Sequence, residues 1–264
     1  MNNISFPRLG LSFNISPAAF SIGAKDIYWY ALIILTGFLC GLGFVCATCE
    51  KRGLKKDYVW DIAMLGLVCG IIGARIYYVL FALDEFKDDW LGIFEIWNGG
   101  LAIYGGIIGA VISTFVCCRI RKLNVLNVFD VCCPGLFIGQ AIGRFGNFVN
   151  AEVYGGATSL PWGMSINGAA PVHPLFLYES LWNILGLILL IIFRDKKRAD
   201  GQVFFFYTFW YSLGRLFLEG MRDTKYILYM IPEKLGISQF IAFVFIVLSV
   251  VAFAAISKKA KNVE

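Results

Sequence analysis

The sequence predicts an all-α polytopic membrane protein with about seven transmembrane helices, its amino terminus outside and its carboxyl terminus in the cytoplasm. Hydrophobic residues make up 59% of the 264 residues and charged residues only 16%, whereas soluble domains carry about 25% charged residues. Seven stretches also approach the roughly 20 apolar residues that a helix needs to cross a bilayer. They cover about 27–48, 59–83, 100–118, 125–145, 174–193, 202–221 and 237–256, within a single integral membrane domain over 1–264.

The loops between these stretches predict the orientation, because basic loops stay in the cytosol. Basic clusters follow the first, third, fifth and seventh spans: "CEKRGLKKD", "RIRK", "RDKKRAD" and "SKKAKNVE". The alternate loops differ, since "LDEFKDDWLGIFE" is acidic and the segment 144–173 holds one Arg and no Lys. We expect 146–173 to form a small external head segment. Because the basic residues lie in alternate loops, we interpret the net charge of +5 as a signal of membrane orientation and not of nucleic-acid binding.

The amino terminus and the cysteines bear on processing and on metal binding. The start "MNNISFPRLGLSFNIS" lacks a basic region followed by an apolar run, so we expect a short external segment and not a cleavable signal peptide.

The eight cysteines lie in spans or on the inner side, where thiols stay reduced, so no disulfide framework is expected. Cys46 and Cys49 form a C-x-x-C pair, but a zinc site needs two more ligands nearby, and the single His173 lies toward the opposite face. The sequence therefore predicts no metal site and no soluble cofactor.

Charged residues inside the spans point to function, because each costs at least ~2.5–3.5 kcal/mol at the bilayer centre and should face a partner or a wet cavity. Six of them lie toward the external ends of their spans, which favours one polar cavity opening outward. Two carboxylates cannot neutralise four guanidinium groups, and a phosphate would suit the remaining positive charge. For the i, i+4 pair of Arg215 and Glu219, a purely structural ion pair is an equally open interpretation. The six residues are Arg75, Arg144, Glu179, Arg215, Glu219 and Arg222.

The stretch "GRFGNFVNAEVYGG" at 143–156 concentrates polar groups at the end of the fourth span. If the helix continues past Arg144, then Arg144, Asn147 and Asn150 share one face at i, i+3 and i+6. Two glycines beside that face should let a large headgroup or backbone approach, and the glycine pair that ends the stretch should break the helix. Asparagine supplies both a donor and an acceptor for glycerol hydroxyls and phosphate oxygens. The stretch therefore predicts an anion-binding pocket at the outer membrane surface.

The chain resembles the bacterial prolipoprotein diacylglyceryl transferase family along nearly its whole length. The 143–156 stretch is similar to the family's signature, with the glycines, the arginine and both asparagines in register. Further motifs follow in the expected order: "YWYAL" at 28–32, "GARIYYVLF" at 73–81, "WNGGLAIYGGIIGA" at 97–110, "HPLFLYES" at 173–180 and "GRLFLEGMRD" at 214–223. The resemblance implies a multi-pass enzyme of the bacterial cytoplasmic (inner) membrane, with its active site toward the external, periplasmic side.

The resemblance also implies a reaction and the residues that perform it. The sn-1,2-diacylglyceryl group of phosphatidylglycerol would pass to the thiol of the lipobox cysteine in the signal peptide of a preprolipoprotein, forming a thioether and releasing glycerol phosphate. This is the first step of lipoprotein maturation. The family motifs place the phosphate contact at Arg144 and a second essential arginine at Arg222. Residues expected to bind phosphatidylglycerol, from the motifs and from the span charges together, are Arg144, Asn147, Asn150, Tyr30, Arg75 and Glu219.

The sequence leaves the general base open. Many family members carry a histidine after the "GG" pair as a proposed base, and this chain has Tyr104 there. A phenol is a poor base at neutral pH unless nearby arginines favour its anion. His173 offers the better-suited imidazole, but it precedes a proline at a helix start, so a structural or capping role is the alternative. Cationic surroundings can also ionise a thiol without a dedicated base, and the catalytic candidates are Arg144, Arg222, Tyr104 and His173.

Two other classes of protein stay open on the sequence. A lipid or anion transporter with an outward-facing arginine site would also place arginines in the membrane, although such proteins usually show inverted repeats and a midplane site. The second class is a receptor-like seven-helix binding module, but no feature of the sequence requires it. An intramembrane metalloprotease is excluded, because the chain has a single histidine and no H-E-x-x-H motif. A transporter would move lipid without consuming it, so release of glycerol phosphate separates the first class from a transferase.

Overall fold

Within the residues that the structure describes, seven α-helices coincide with the seven predicted spans in this computed structural model. The described residues are 1–23, 25–87, 89–231 and 235–261, so Asp88 of the acidic loop and the end of the basic tail lie outside them. The predicted all-α class of polytopic membrane protein is confirmed. The helices are α1 Trp29–Thr48, α2 Lys56–Phe81, α3 Ile103–Arg121, α4 Val125–Asn150, α5 Leu175–Arg194, α6 Gln202–Glu219 and α7 Ile237–Lys261.

Six of the helices in the described ranges are long and apolar enough to cross a bilayer: α1, α2, α3, α4, α5 and α7. The helix α6 is not among them, since its 18 residues include Arg215 and Glu219 as well as polar aromatic side chains. The predicted total of seven crossing helices and the orientation of the two ends therefore stay predictions.

Short β-strands, which the sequence did not predict, precede α1 and join the head segment. The strand β1 pairs antiparallel with β2 and also with β5, which lies inside 146–173. Ile4 and Phe6 of β1 are buried together with Met164 and Phe176, so a small apolar cluster fixes the amino-terminal strands on the head segment. The strands are β1 Asn2–Phe6, β2 Leu11–Ile15, β3 Ala18–Ile22, β4 Lys25–Tyr28, β5 Ser165–Ile166, β6 Tyr229–Ile231 and β7 Leu235–Gly236.

The chain forms two compact units. The first consists of Met1–Phe44 and Cys132–Glu264, and the second of Val45–Val131. The first unit therefore contains most of α1 and α4 with all of α5, α6 and α7, whereas the second contains α2 and α3. The prediction of a single integral membrane domain stays a prediction.

Glycines bring helices together inside each unit, as small residues do in lipid. In the first unit, a Cβ added to Gly37 of α1 would lie 3.0 Å from the carbonyl oxygen of Gly139 in α4, and Gly41 approaches Gly135 in the same way. In the second unit, Gly105 of α3 leaves no room for a side chain against the backbone of α2. The predicted role of the four-residue glycine spacing in close helix packing is confirmed at these positions.

The helix α4 continues to Asn150, five residues past the predicted end of its span. It stops where Ala151 and Val153 adopt left-handed backbone angles, each with φ of 53°. The prediction that the glycine pair breaks this helix is therefore wrong. Gly155 and Gly156 instead pair with other segments, because Gly155 N donates to the carbonyl oxygen of His173 at 2.9 Å and Gly156 N donates to that of Met221 at 3.0 Å.

Gly155→Ala is expected to destabilise the protein by about 1–3 kcal/mol, the usual cost of overpacking. An added Cβ would lie 2.6 Å from the Cβ of His173 and 2.7 Å from the carbonyl oxygen of Met221. Gly156→Ala is the matched control, since nothing lies within 4 Å of its Cβ position. The midpoint of thermal unfolding, followed by circular dichroism, should fall for the first variant only. Equal midpoints for the two variants would contradict this close approach.

Candidate active site

Glu179 lies at the centre of the charged residues that the sequence singled out. It sits in the second turn of α5 and is 6% exposed. Its Oε2 forms an ion pair with Nε of Arg144, which projects from α4. Its Oε1 lies 3.3 Å from Nη2 of Arg222 and 3.7 Å from Nη1 of Arg215. One carboxylate therefore joins three arginines that the chain delivers from different segments.

Glu219 joins two of the same arginines from the last turn of α6. Its Oε2 lies 3.2 Å from Nη2 of Arg215 and 3.4 Å from Nη1 of Arg222, and the residue is 2% exposed. The structural ion pair of Arg215 and Glu219 is thus present, but it is part of a larger network. We call Arg144, Glu179, Arg215, Glu219 and Arg222 the arginine–glutamate cluster. Its three guanidinium groups and two carboxylates leave one positive charge.

The surplus charge makes the cluster receptive to an anion. Arg222 follows α6, and burial together with the neighbouring Arg215 lowers the pKa of its guanidinium. An arginine stays protonated at neutral pH even so. A phosphate held here would favour the charged form by direct attraction. The geometry therefore supports binding of an anion at the point where α4, α5 and α6 supply their charges.

The backbone around Arg222 is fastened to the head segment. Arg222 and Gly155 form an antiparallel bridge, and Asp223 N donates to the carbonyl oxygen of Tyr154 at 3.2 Å. The ammonium group of Lys225 contacts the hydroxyl of Tyr154 and lies 4.2 Å from the centre of its ring. The signature stretch thus supplies Arg144 to the cluster and also positions the segment that carries Arg222.

Asn147 and Asn150 share the face of Arg144, as the helical spacing predicted. Both donate through Nδ2 to Oε1 of Glu152, at 3.2 Å and 3.4 Å. Glu152 was not predicted as their partner, although it lies in the same stretch. Both amides retain their carbonyl oxygens as acceptors for hydroxyl groups of a ligand.

The glycines at the start of the stretch admit side chains of α1. A Cβ on Gly146 would lie 2.7 Å from the ring of Tyr30, and one on Gly143 would lie 3.1 Å from Cδ1 of Ile34. The expectation that these two glycines leave space for a headgroup is therefore wrong, because protein side chains fill that space. The same contact places Tyr30 beside the helical turn that carries Arg144.

Comparison with known proteins matches residues 17–255 to the family model described as prolipoprotein diacylglyceryl transferase. The chain belongs to this family. A phosphatidylglycerol–prolipoprotein diacylglyceryl transferase of Clostridioides difficile (strain 630) is 38% identical over 244 residues, which cover 92% of this chain and 96% of that protein. Proteins of the same name from Bacillus velezensis and Lysinibacillus sphaericus are 39% and 42% identical, over 90% and 82% of this chain and 90% and 85% of their own lengths.

Of the site residues predicted for this diacylglyceryl transferase family member, Arg75 lies in the second unit. Its guanidinium donates to the backbone carbonyls of Gly92, Ile93, Gly99 and Gly100 at 2.6–3.0 Å. The adjoining cavity, of about 240 Å³, is lined by three carboxylates, those of Glu85, Asp89 and Glu95. An acidic cavity and a guanidinium that donates four hydrogen bonds to backbone carbonyls favour a structural role for Arg75 in holding the loop before α3. Its predicted role as a lipid ligand stays a prediction.

Tyr104 also lies in the second unit, as the second residue of α3. Its side chain is substantially exposed, and its ring centre lies 6.4 Å from that of Tyr77. Its predicted part in catalysis stays a prediction.

His173 is held in the first unit by the head segment. Its Nδ1 lies 3.3 Å from the hydroxyl of Tyr178, and that hydroxyl accepts a hydrogen bond from Nε1 of Trp162 at 2.7 Å. The tyrosine proton is then available to Nδ1 of the imidazole. The backbone of His173 pairs with both glycines of the 155–156 pair. These contacts favour the structural alternative that the sequence left open for this residue.

If His173 acts only through Tyr178, His173→Phe and Tyr178→Phe should each lower activity several-fold, since one hydrogen bond contributes about 1 kcal/mol. The double variant should then lose no more than the worse single variant, because both changes remove the same contact. The measurement is kcat of the three proteins at a fixed lipid content. A loss of ~10²-fold or more confined to His173→Phe would identify this histidine as the base instead.

Sequence reasoning missed the central position of Glu179 and Arg215. Both were recognised as charges inside spans, but neither was placed among the site residues. Glu179 is the only charged residue of α5 apart from Arg194 at its last position. A carboxylate in an apolar span with no neighbouring charge on its own helix signals a partner elsewhere in the fold. That signal is present in the sequence and would have sufficed to place Glu179 among the site residues.

Proposed function

We propose that this protein transfers the diacylglyceryl group of phosphatidylglycerol to the thiol of the lipobox cysteine in a preprolipoprotein signal peptide. Membership of the prolipoprotein diacylglyceryl transferase family supports the reaction class, and the names of the relatives supply the two substrates. The structural observation that carries the proposal is the arginine–glutamate cluster, a largely buried network in which three guanidinium groups meet two carboxylates. The transporter alternative finds no support among these relatives.

The proposed chemistry is a displacement at the sn-3 carbon of the glyceryl group. The cysteine sulfur forms a bond to this carbon while the carbon–oxygen bond to the phosphate breaks. The bonding electrons leave with the phosphate oxygen, so the products are a thioether and glycerol phosphate. The thiol proton passes to a base or to solvent. A free thiol titrates near pH ~8.5, and cationic surroundings lower that value, so the cluster can increase the reactive thiolate.

The cluster would act by electrostatic stabilisation. Fixed donors aimed at a position where negative charge grows stabilise a transition state without reorganising at the moment of reaction. We assign the phosphate to Arg144 and Arg222, with Glu179 and Glu219 holding the guanidinium groups in place. Asn147 and Asn150 would hold glycerol hydroxyls, and Tyr30 would pack beside the headgroup. No metal ion or soluble cofactor is required by this scheme.

The proposed location is the external side of the bacterial cytoplasmic membrane. The cluster draws on the carboxyl-terminal ends of α4 and α6 and on the amino-terminal turns of α5. Helices that alternate in direction bring these ends to one face of a membrane. The basic clusters lie at the opposite ends of the same helices, which the positive-inside rule assigns to the cytosol.

The test is transfer to a peptide by the purified protein in lipid vesicles. A lipobox peptide should gain the mass of a diacylglyceryl group in vesicles that contain phosphatidylglycerol. The same peptide with serine in place of cysteine, and vesicles of phosphatidylcholine alone, are the controls and should give no product. Unmodified peptide under the complete conditions would contradict the proposed function.

Tyr104 offers a test of how the thiol loses its proton. If Tyr104 only positions a substrate, Tyr104→Phe should cost several-fold in turnover, about 1 kcal/mol for one hydrogen bond. Tyr104→His should stay active, because imidazole also forms hydrogen bonds. Turnover is measured against pH at saturating lipid, with Tyr77→Phe as the control for a neighbouring ring. A ~10³-fold loss in Tyr104→Phe that higher pH restores would make Tyr104 the base.

A further inference from the structure

Trp182 of α5 and Trp210 of α6 hold each other by reciprocal contacts. Their indole rings stack with centres 4.5 Å apart and planes inclined by 15°. Nε1 of Trp182 donates to the backbone carbonyl of Trp210 at 3.0 Å, and Nε1 of Trp210 donates to the carbonyl of Trp182 at 3.0 Å. We call this symmetric pair the tryptophan clasp.

A glycine four residues after each tryptophan makes the clasp possible. The sequence repeats the pattern as "WNILG" at 182–186 and "WYSLG" at 210–214. In an α-helix the carbonyl oxygen of one residue lies beside the residue four positions later, so a glycine there leaves the oxygen open. A Cβ on Gly214 would lie 2.8 Å from Cε2 of Trp182, and a Cβ on Gly186 would press on the ring of Trp210. Both glycines therefore make room for the indole of the opposite helix.

The clasp lies about one helical turn from the arginine–glutamate cluster. Glu179 precedes Trp182 by three residues, a rise of about 4.5 Å, and Arg215 directly follows Gly214. A slip of one helix against the other by one residue, about 1.5 Å, would break both reciprocal hydrogen bonds. The same slip would separate Glu179 from Arg215, which lie 3.7 Å apart.

We propose that Trp182 and Trp210 are positioning residues that set the register of α5 and α6 for diacylglyceryl transfer. This inference rests on the proposed function and extends it to residues that touch no substrate. A displacement of about 1 Å in a catalytic group can cost ~10²-fold in rate. Three of the groups that we assign to the lipid, Arg144, Asn147 and Asn150, lie on α4, whereas the reciprocal hydrogen bonds of the clasp join α5 to α6. A disturbed clasp therefore lowers kcat more than it raises KM for lipid.

The experiment is a pair of double-mutant cycles on the full-length protein in vesicles. Gly214→Ala should lower kcat at least ~10-fold and change KM less than ~3-fold, because the methyl group displaces the indole. Adding Trp182→Ala to Gly214→Ala removes that indole and should restore part of kcat. Gly186→Ala should also lower kcat, at a position away from Arg215, but Trp210→Ala should relieve this loss less, because the added Cβ would still lie 2.8 Å from Cζ of Phe137. Gly43→Ala is the matched control and should behave as wild type, because nothing lies within 4 Å of its Cβ position.

Wild-type kcat in Gly214→Ala, or a loss that Trp182→Ala does not relieve, would overturn the positioning role. The near-ultraviolet circular dichroism of the stacked indoles supplies a readout that needs no activity. Its signal should disappear in the conservative variant Trp182→Phe and persist in Trp60→Phe, a change to an exposed tryptophan. An inactive wild-type protein would contradict the proposed function and this inference with it. An active wild type with undisturbed clasp variants would overturn this inference alone.

Discussion

Arg144→Lys is expected to lose ~10²–10³-fold in transfer activity, the range found when one preorganised donor to a developing oxyanion is removed. The ion pair described for Arg144 uses Nε, so the two terminal nitrogens can face a phosphate while Glu179 holds the other side of the guanidinium. Lysine presents a single ammonium group and cannot serve both partners. The measurement is kcat/KM in phosphatidylglycerol vesicles, at equal amounts of inserted protein.

Arg222→Lys should show the same behaviour for a related reason. Arg222 reaches Glu179 with Nη2 and Glu219 with Nη1, a bridge that an ammonium group cannot reproduce with the same geometry. Arg8→Lys is the control for an exposed arginine and should be fully active. Near-normal turnover in either cluster variant would remove the phosphate-binding role from that residue.

Glu179→Gln is expected to lower both stability and activity. The amide has nearly the same shape, but it leaves Arg215 and Arg222 with Glu219 alone and removes the carboxylate that pairs with Arg144. Removing one partner from a buried charge network costs about 3–5 kcal/mol, because the remaining charges lose their compensation. The midpoint of thermal unfolding should fall, and turnover measured well below that midpoint should fall ~10²-fold, as fixed groups lose their alignment.

Glu50→Gln is the matched control for this variant. Glu50 is exposed and pairs with Lys56 at 3.8 Å, and such surface pairs contribute about 0–1 kcal/mol. Its unfolding midpoint and turnover should match those of the wild type. If Glu179→Gln keeps wild-type stability as well, the carboxylate does not hold the three arginines together.

Six of the helices in the described residues could be predicted from sequence because their hydropathy and length are those of a membrane span, whereas α6 is less apolar. The end of α4 could not, because its stop at Asn150 depends on the left-handed angles of Ala151 and Val153 and not on the glycine pair nearby. The strands of the amino-terminal segment were missed for two reasons. The pairing of β1 with β5 joins residues about 160 positions apart and leaves no local pattern. The pairings of β1 with β2 and of β3 with β4 are local hairpins, whose turns at Gly10 and Gly23 were a signal that the sequence analysis did not use.

The sequence singled out the charged residues of the candidate site, but it did not indicate which of them form ion pairs. Arg144, Arg222 and Glu219 belong to one network of ion pairs through Glu179, whereas Arg75 is engaged by carbonyls within its own unit. Hydrophobic periodicity marks which residues are out of place in lipid but not which of them pair. The W-x-x-x-G repeat was visible in the sequence, yet its meaning depends on two helices being neighbours.

The central claim is that the arginine–glutamate cluster serves a reaction that consumes phosphatidylglycerol. The most direct measurement counts the glycerol phosphate released against the lipobox peptide modified, in sealed vesicles with purified protein. We expect one glycerol phosphate for each thioether formed, and both should fall together in Arg144→Lys. Lipid that crosses the bilayer intact, with no glycerol phosphate released and no peptide modified, would contradict the account.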